Sequence, residues 1–186
     1  MIFLFNDFYN IYKGARDSSW RFLIDHKVDS LPVDLNKICG NMGINLRIDK
    51  GILTSERGAT ITDGDATYIL LKRDTIPAMR YTTAHELGHI VLGHTLKKGK
   101  IGHTFITEDE QEYQAERFAI DILAPACVLW GLNLHTAKDI SELCNISISA
   151  AQRRAERMEV LYRRNKFLTS SLERQVFQQF KQFISR

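Results

Sequence analysis

The sequence predicts an α+β fold, in which a small antiparallel three-stranded sheet packs on one helix and the C-terminal half of the chain is mostly helical. Apolar residues alternate as in strands between residues 44 and 71, and from residue 76 onward they recur at helical spacing. Residues that cap helices precede several of the helical segments. With 186 residues, of which 44% are hydrophobic, the chain is long enough to bury a proper core.

The pattern divides the chain into three parts. Residues 1–24 form a predicted N-terminal helical extension, residues 25–165 form the main domain, and residues 166–186 form a C-terminal amphipathic helix. Residues 136–162, at the end of the main domain, are predicted to form a closing pair of helices that resembles a helix-turn-helix.

The predicted sheet follows a helix over residues 33–42, which ends at a glycine. Apolar residues alternate over residues 44–48, and residues 59–62 and 67–71 flank the turn signal Asp63-Gly64, which predicts a hairpin. The strand at residues 67–71 has two interpretations. It is an open edge on which an extended peptide could pair through main-chain hydrogen bonds, or an edge covered by another part of the chain.

The next predicted helix starts after Thr75, which can cap it, and stops at Gly93. It carries His85, Glu86 and His89, and side chains four residues apart lie on one face of a helix. Both imidazoles could therefore bind one metal ion, with the glutamate beside it. The alternative is a pair of ordinary hydrogen-bonded core histidines. Because an unsatisfied buried polar group costs roughly 1–3 kcal/mol, three ionisable side chains on a largely apolar helix favour the metal.

A third ligand is expected on the following helix. Thr107 and Glu110 read as a capping box at its start, and Glu112 is the first carboxylate past that turn. Glu112 and Glu116 share one helical stripe with two alanines, which allow another helix to approach closely. We therefore expect Glu112 to complete the metal site, and Glu116 to accept a hydrogen bond from the distal ring nitrogen of a ligating histidine. The alternative is an acidic face in contact with solvent.

These motifs resemble the ImmA/IrrE family of bacterial and phage zinc metallopeptidases. The segments that carry the resemblance are residues 83–89 (Thr-Ala-His-Glu-Leu-Gly-His), 112–119 and 123–125, with weaker flanking similarity at residues 31–35, 42–44 and 146–158. The similarity covers about residues 25–165 and implies a zincin-like fold.

The resemblance also implies a role for each residue of the site. His85, His89 and Glu112 would be the ligands of Zn²⁺, and Glu86 the catalytic base that activates a zinc-bound water. The family usually has Asn or Asp where Glu116 stands. Three residues are candidates to stabilise the oxyanion, and the sequence favours none of them: Tyr81, Tyr113 and His103.

Family members characterised as peptidases cleave repressor proteins of mobile elements or stress responses. The resemblance therefore implies a zinc-dependent endopeptidase whose protein substrate is a DNA-binding transcriptional repressor. A second class of function stays open, in which a zinc-bearing regulatory protein binds DNA or a repressor with little or no proteolytic turnover.

The charge distribution motivates a test of direct nucleic-acid binding. Residues 151–186 contain nine basic and three acidic residues, whereas the whole chain carries a net charge of +3. Basic amphipathic helices are more typical of solvated or docking surfaces. One face of the last helix is apolar and is expected to be covered. It could pack on the N-terminal aromatic segment, on another subunit or across the active-site cleft, and we favour packing within the chain. The members of that face are Leu172, Val176, Phe177, Phe180 and Ile184.

The remaining features predict a cytoplasmic protein without a membrane span. The apolar run at residues 2–5 is too short to cross a membrane and lacks a preceding basic residue. Three widely spaced cysteines are typical of reduced thiols, with Cys127 expected as a small buried residue. For His94 we expect an ordinary surface or hydrogen-bonded role. The sequence does not indicate an oligomeric state.

Overall fold

The computed structural model describes residues 2–94 and 108–186, and the side chains of residues 13–94 and 110–186. Within those ranges the chain forms three strands and several helices, so the α+β class is confirmed. The elements in chain order are α1 (Ile2–Asp25), α2 (Leu35–Asn41), β1 (Ile44–Ile48), β2 (Gly58–Asp63), β3 (Ala66–Leu71), α3 (Ile76–Val91), α4 (Glu108–Leu123), α5 (Ala126–Gly131), α6 (Ala137–Cys144), α7 (Ile148–Arg164), α8 (Ser171–Gln179) and α9 (Lys181–Ile184).

The sheet has the strand order β1-β3-β2 and is mixed. β2 and β3 form the expected antiparallel hairpin, in which Gly64 has a φ of +58° in the turn. β1 pairs parallel to β3, with Ile44 opposite Thr67, so the prediction of a purely antiparallel sheet was wrong. The turn makes β2 and β3 neighbours, but no local signal tells β1 which side of the hairpin to join.

β3 is the central strand, so the prediction that residues 67–71 form an edge was also wrong. Ile69, Leu70 and Leu71 are all buried. An uninterrupted apolar run is typical of a strand enclosed on both faces. Of the described strands, β1 and β2 lie at the edges of the sheet.

Residues that favour caps and turns set the ends of α2 and α3. The Asp34 side chain accepts a hydrogen bond from the Lys37 backbone N–H, and Gly43 has a φ of +70° just past α2. Thr75 caps α3 through the Ala78 backbone N–H, and Pro77 lies in the first turn. α3 contacts both β2 and β3. A Cβ on Gly58 would collide with the Thr82 side chain, so the missing side chain lets α3 lie close to β2.

The chain separates into two compact units, and the boundary falls inside α4. One unit is Asp34–Ala119, whose described part holds α2, the sheet, α3 and the first three turns of α4. The other combines Met1–Val33 with Ile120–Arg186. The metal-binding candidates all belong to the first unit.

In the second unit, α6 and α7 form the predicted helix pair. Thr136 and Ser147 cap the two helices, and Asn145 ends α6 in the left-handed conformation, with a φ of 51°. Arg154 of α7 is 1% exposed and donates a hydrogen bond of 3.0 Å to Asp121. This ion pair is therefore internal to the unit.

The C-terminal segment is two helices rather than one, because α8 ends at Gln179 and α9 begins at Lys181. α8 contacts α1 and α5 of the same chain. Phe177 lies against Trp130, with ring centroids 5.6 Å apart, and Val176 and Phe180 are fully buried. The aromatic side chains of the first twelve residues, which were the expected partner, lie outside the described side chains. Among the described residues, no helix combines the length and hydropathy that a membrane span requires.

Candidate metal centre

His85, His89 and Glu112 are brought together by the packing of α3 and α4. The Nε2 atoms of the two histidines lie 3.0 Å apart, and each is near the Glu112 carboxylate, at 3.1 Å from Oε2 for His85 and 3.3 Å from Oε1 for His89. The three ligand atoms lie within 4.8 Å of one another. One ion could therefore contact all three.

The donor set and its spacing fit zinc. Two imidazole nitrogens and one carboxylate are zinc ligands of catalytic sites, and tetrahedral bonds near 2.0–2.1 Å place neighbouring donors about 3.3–3.4 Å apart. The Nε2–Nε2 separation of 3.0 Å, and the 3.1 and 3.3 Å from each Nε2 to its nearer Glu112 oxygen, lie close to that value. The Glu112 side chain is 51% exposed, whereas that of His89 is 8% exposed, so one side of the cluster faces solvent. An accessible side is typical of a catalytic centre rather than a closed structural one.

The charges around the cluster favour a cation. Hydrogen bonds with His85 and His89 hold the pKa of Glu112 well below its usual range. Burial acts to lower the pKa of His85, but its hydrogen bond with Glu112 and the charge of Glu86 outweigh burial, so the pKa is raised. The surroundings of the imidazoles are therefore electronegative.

Glu86 is held beside the cluster by the sheet. Its Oε2 accepts a hydrogen bond of 2.7 Å from the Thr60 hydroxyl, and both side chains are buried. Thr60 lies on β2, while Glu86 lies on the face of α3 that packs against the sheet. The hydroxyl occupies one oxygen of the carboxylate and leaves the other available for proton transfer.

Gly88 makes the close approach of α3 and α4 possible. A Cβ built on Gly88 would lie 3.0 Å from the Cα of Ala115 and 3.1 Å from its carbonyl oxygen. Ala115 and Ala119 are both fully buried, as expected from the small-residue stripe. The ligands come together because Gly88 of α3 and Ala115 of α4, each one helical turn from a proposed ligand, lie in close contact.

His94 contacts the distal side of His89. The two Nδ1 atoms lie 2.9 Å apart, and the Nε2 of His94 lies 2.8 Å from the Oε1 of Gln114. His94 is 7% exposed, and burial lowers its pKa. The expectation of a hydrogen-bonded role for His94 fits these contacts, whereas a surface role does not.

Glu116 lies exposed on α4, and among the described residues it makes no hydrogen bond to either imidazole. The distal nitrogen of His89 is occupied by His94 instead. Tyr81 is half-buried on α3 and Tyr113 is 43% exposed on α4. His103 and Thr107 lie outside the described residues.

Sequence reasoning missed the roles of Thr60 and Gln114. Thr60 is one of several threonines in the hairpin, and nothing in the alternation of β2 distinguishes it. Gln114 follows Glu112 by two residues, which gives no reason to expect a common partner. His94 did carry a signal, because it is a third histidine five residues after His89.

An α+β fold that presents a His-Glu-x-x-His helix, with a carboxylate from the next helix, is the arrangement of metal-dependent peptidases. The family comparison agrees. Residues 39–156 match the M78 peptidase family model, which is described as the IrrE N-terminal-like domain, and the chain belongs to that family. A comparison with curated proteins finds no match.

Proposed function

We propose that the protein is a zinc-dependent endopeptidase that cleaves a protein substrate. In this proposal His85, His89 and Glu112 hold Zn²⁺, and Glu86 is the general base. The observation that carries it is the cluster of donor atoms, in which the two Nε2 atoms lie 3.0 Å apart and each lies 3.1–3.3 Å from one of the two Glu112 oxygens. The cluster is exposed on one side and flanked by a second, anchored carboxylate.

The chemistry follows from the positions of these side chains. Zinc in this site would act as a Lewis acid, polarising the scissile carbonyl and making water more acidic. One carboxylate oxygen of Glu86 would accept a proton from the attacking water and pass it to the leaving amine. Thr60 would hold the other oxygen, so that the base keeps one orientation while the proton moves.

The proposed substrate is a DNA-binding transcriptional repressor. Support comes from the resemblance to the ImmA/IrrE peptidases and from membership of the M78 family. β2 carries Thr60 and is an edge strand of the described sheet, so an extended peptide could pair with it near the base. We also propose a cytoplasmic location, because Cys39, Cys127 and Cys144 are buried thiols that form no disulfide, as is usual in that compartment.

Replacing Glu86 by Gln tests the proposal. The amide keeps a carbonyl oxygen for Thr60 and leaves all three proposed ligands in place, but it cannot accept the proton. We expect the variant to bind one zinc per chain, as the wild type does, and to have lost cleavage by a factor of at least about 10³, in line with loss of a general base. Metal content is measured by mass spectrometry of the intact native protein.

Zinc-loaded wild type and Glu86→Gln are incubated with repressors encoded beside the gene, and the fragments are identified by mass. Cleavage by the wild type should stop on chelation and return with zinc. If both proteins cut equally, the base is misassigned. If both bind zinc and neither cuts any candidate while the wild type binds a repressor tightly, the regulatory alternative replaces the peptidase.

A further inference from the structure

His94 follows the C-terminal end of α3, where the backbone motif that ends the helix places its side chain against His89, a proposed metal ligand. Its backbone N–H donates to the His89 carbonyl at 3.0 Å, and the Gly93 N–H donates to the Ile90 carbonyl at 3.2 Å. This pair of bonds, with Gly93 at a φ of +70°, is the Schellman motif. The motif brings the side chain of its last residue back to that of the residue three before the cap, here His94 to His89. The ring centroids lie 4.9 Å apart.

The hydrogen bonds along this contact have a direction. The Gln114 Oε1 is an amide oxygen and can only accept, so the Nε2 of His94 donates to it. A neutral imidazole carries one N–H, which leaves the Nδ1 of His94 as an acceptor. The Nδ1 of His89 therefore donates to His94, which leaves the Nε2 of His89, on the side of His85 and Glu112, as the nitrogen that would bind a metal once it carries no proton.

We infer that His94 and Gln114 form a positioning relay that holds His89 in the tautomer and orientation required to bind the metal. The inference rests on the proposed metal site and adds two residues that act through His89 rather than on the substrate. Gln114 lies on α4, two residues after Glu112, so the relay also ties a ligand of α3 to the helix that supplies the carboxylate. Burial of His94 limits competition from water for these bonds.

The relay is tested at both ends with matched substitutions in the full chain. His94→Leu and Gln114→Leu remove the acceptor, whereas His94→Gln and Gln114→Glu keep an oxygen that accepts. Zinc affinity is measured by competition with a chromogenic chelator. We expect each leucine variant to bind zinc about 10- to 100-fold more weakly, as is usual when a partner of a ligating histidine is lost. The two conservative variants should stay within about threefold of the wild type.

A second measurement separates positioning from simple packing. Long-range ¹H–¹⁵N spectra of the zinc-loaded wild type should find the His94 proton on Nε2 and the Nδ1 of His94 unprotonated, as the relay requires. Thermal unfolding of the metal-free variants reports any packing defect. If His94→Leu does not fold, the zinc affinity of Gln114→Leu tests the relay instead, because Gln114 is only partly buried on α4.

Two results would overturn the relay. One is a wild-type His94 protonated on Nδ1 in the zinc-loaded protein. The other is a folded leucine variant that binds zinc as tightly as the wild type. Neither measurement uses proteolysis, so loss of the peptidase proposal in the cleavage assay would leave these outcomes unchanged.

Discussion

At the scale of single residues, the contact between Thr60 and Glu86 decides how the proposed base is held. A buried carboxylate that accepts a hydrogen bond gains about 1.5–3 kcal/mol from it, and the same bond restricts its rotamer. A strand and a helix, 26 residues apart in sequence, thus share one bond at the site. The Thr60 hydroxyl therefore contributes both to the orientation of Glu86 and to the stability of the folded protein.

Thr60→Val removes that hydroxyl while keeping the shape of the side chain. We expect the free energy of unfolding to fall by about 1.5–3 kcal/mol and cleavage to slow by about tenfold or more, because Glu86 loses its anchor. Thr60→Ser, which keeps the donor, is the control. Urea unfolding and cleavage kinetics measure both effects. A Thr60→Val protein as active as the wild type would remove the anchoring role.

The buried thiols give a second prediction at this scale. Burial raises the pKa of Cys39 to about 11 and that of Cys127 to about 12. Because the thiolate is the reactive form, only about one Cys39 in a thousand is ionised near pH 8. We expect iodoacetamide to leave both residues unmodified in the native protein and to alkylate both in concentrated urea, as mapped by peptide mass. Rapid native labelling of Cys127 would contradict its burial.

At the scale of elements, the packing of α3 on α4 turns two separate helices into one site. Gly88 and Ala115 meet backbone to backbone, one turn from His85 and Glu112 respectively. A helix interior normally disfavours glycine by about 1 kcal/mol relative to alanine. The glycine is retained at that cost because a side chain would force the two ligand helices apart.

Gly88→Ala should therefore destabilise the protein, although alanine has the higher helix propensity. The added methyl meets backbone atoms of Ala115, which cannot move unless α4 shifts, so we expect a loss of about 1–3 kcal/mol in unfolding free energy and weaker zinc binding. Gly40→Ala in α2 is a matched control, because nothing lies within 4 Å of the new methyl and it should be neutral or slightly stabilising. Chemical denaturation and chelator competition measure the pair. A stabilised Gly88→Ala with unchanged affinity would contradict the close approach.

At the scale of the whole molecule, the excess of basic residues after residue 150 is only partly a surface property. Arg154 is buried and bonded to Asp121, so one of the nine basic residues contributes nothing to an external patch. Arg153, Arg163 and Arg164 are exposed, and so are Glu156 and Glu159 on the same helix. This mixture weakens the case for a nucleic-acid surface on α7, and direct binding stays an untested alternative.

The two ends of the chain are joined within one compact unit. The Gln179 side-chain amide of α8 donates to the carbonyl oxygens of Leu23, at 2.8 Å, and Val28, at 2.6 Å. These bonds connect residues more than 150 positions apart, one near the end of α1 and one just past it. The C-terminal helix is thus part of the fold rather than an independent appendage.

Gln179→Met keeps the length of the side chain and removes both donated bonds. We expect the free energy of unfolding to fall by about 1–3 kcal/mol, from two bonds of about 0.5–1.5 kcal/mol each. Gln178→Met, at the exposed neighbouring position, should change it by less than about 0.5 kcal/mol. Urea denaturation of both variants is the measurement. Equal stabilities would mean that these bonds add nothing to the joining of the two ends.

Local sequence determined much of this protein. The capping residues Thr75, Ser147 and Ser170, together with Gly43 and Gly93, mark helix ends near where they occur, because the local preferences of these residues act over a few positions. The spacing of His85 and His89 placed both on one helical face for the same reason. A third ligand, a carboxylate on the next helix, was also predicted locally, because the predicted capping box assigns the preceding acids to the first turn of that helix.

Only the tertiary structure decided how distant segments meet. It placed β3 at the centre of the sheet with β1 parallel to it. It also formed the hydrogen bonds between Thr60 and Glu86 and between His94 and Gln114. Each of these is a contact between segments that no turn or helical period relates, so its free energy depends on packing partners that a local pattern does not encode.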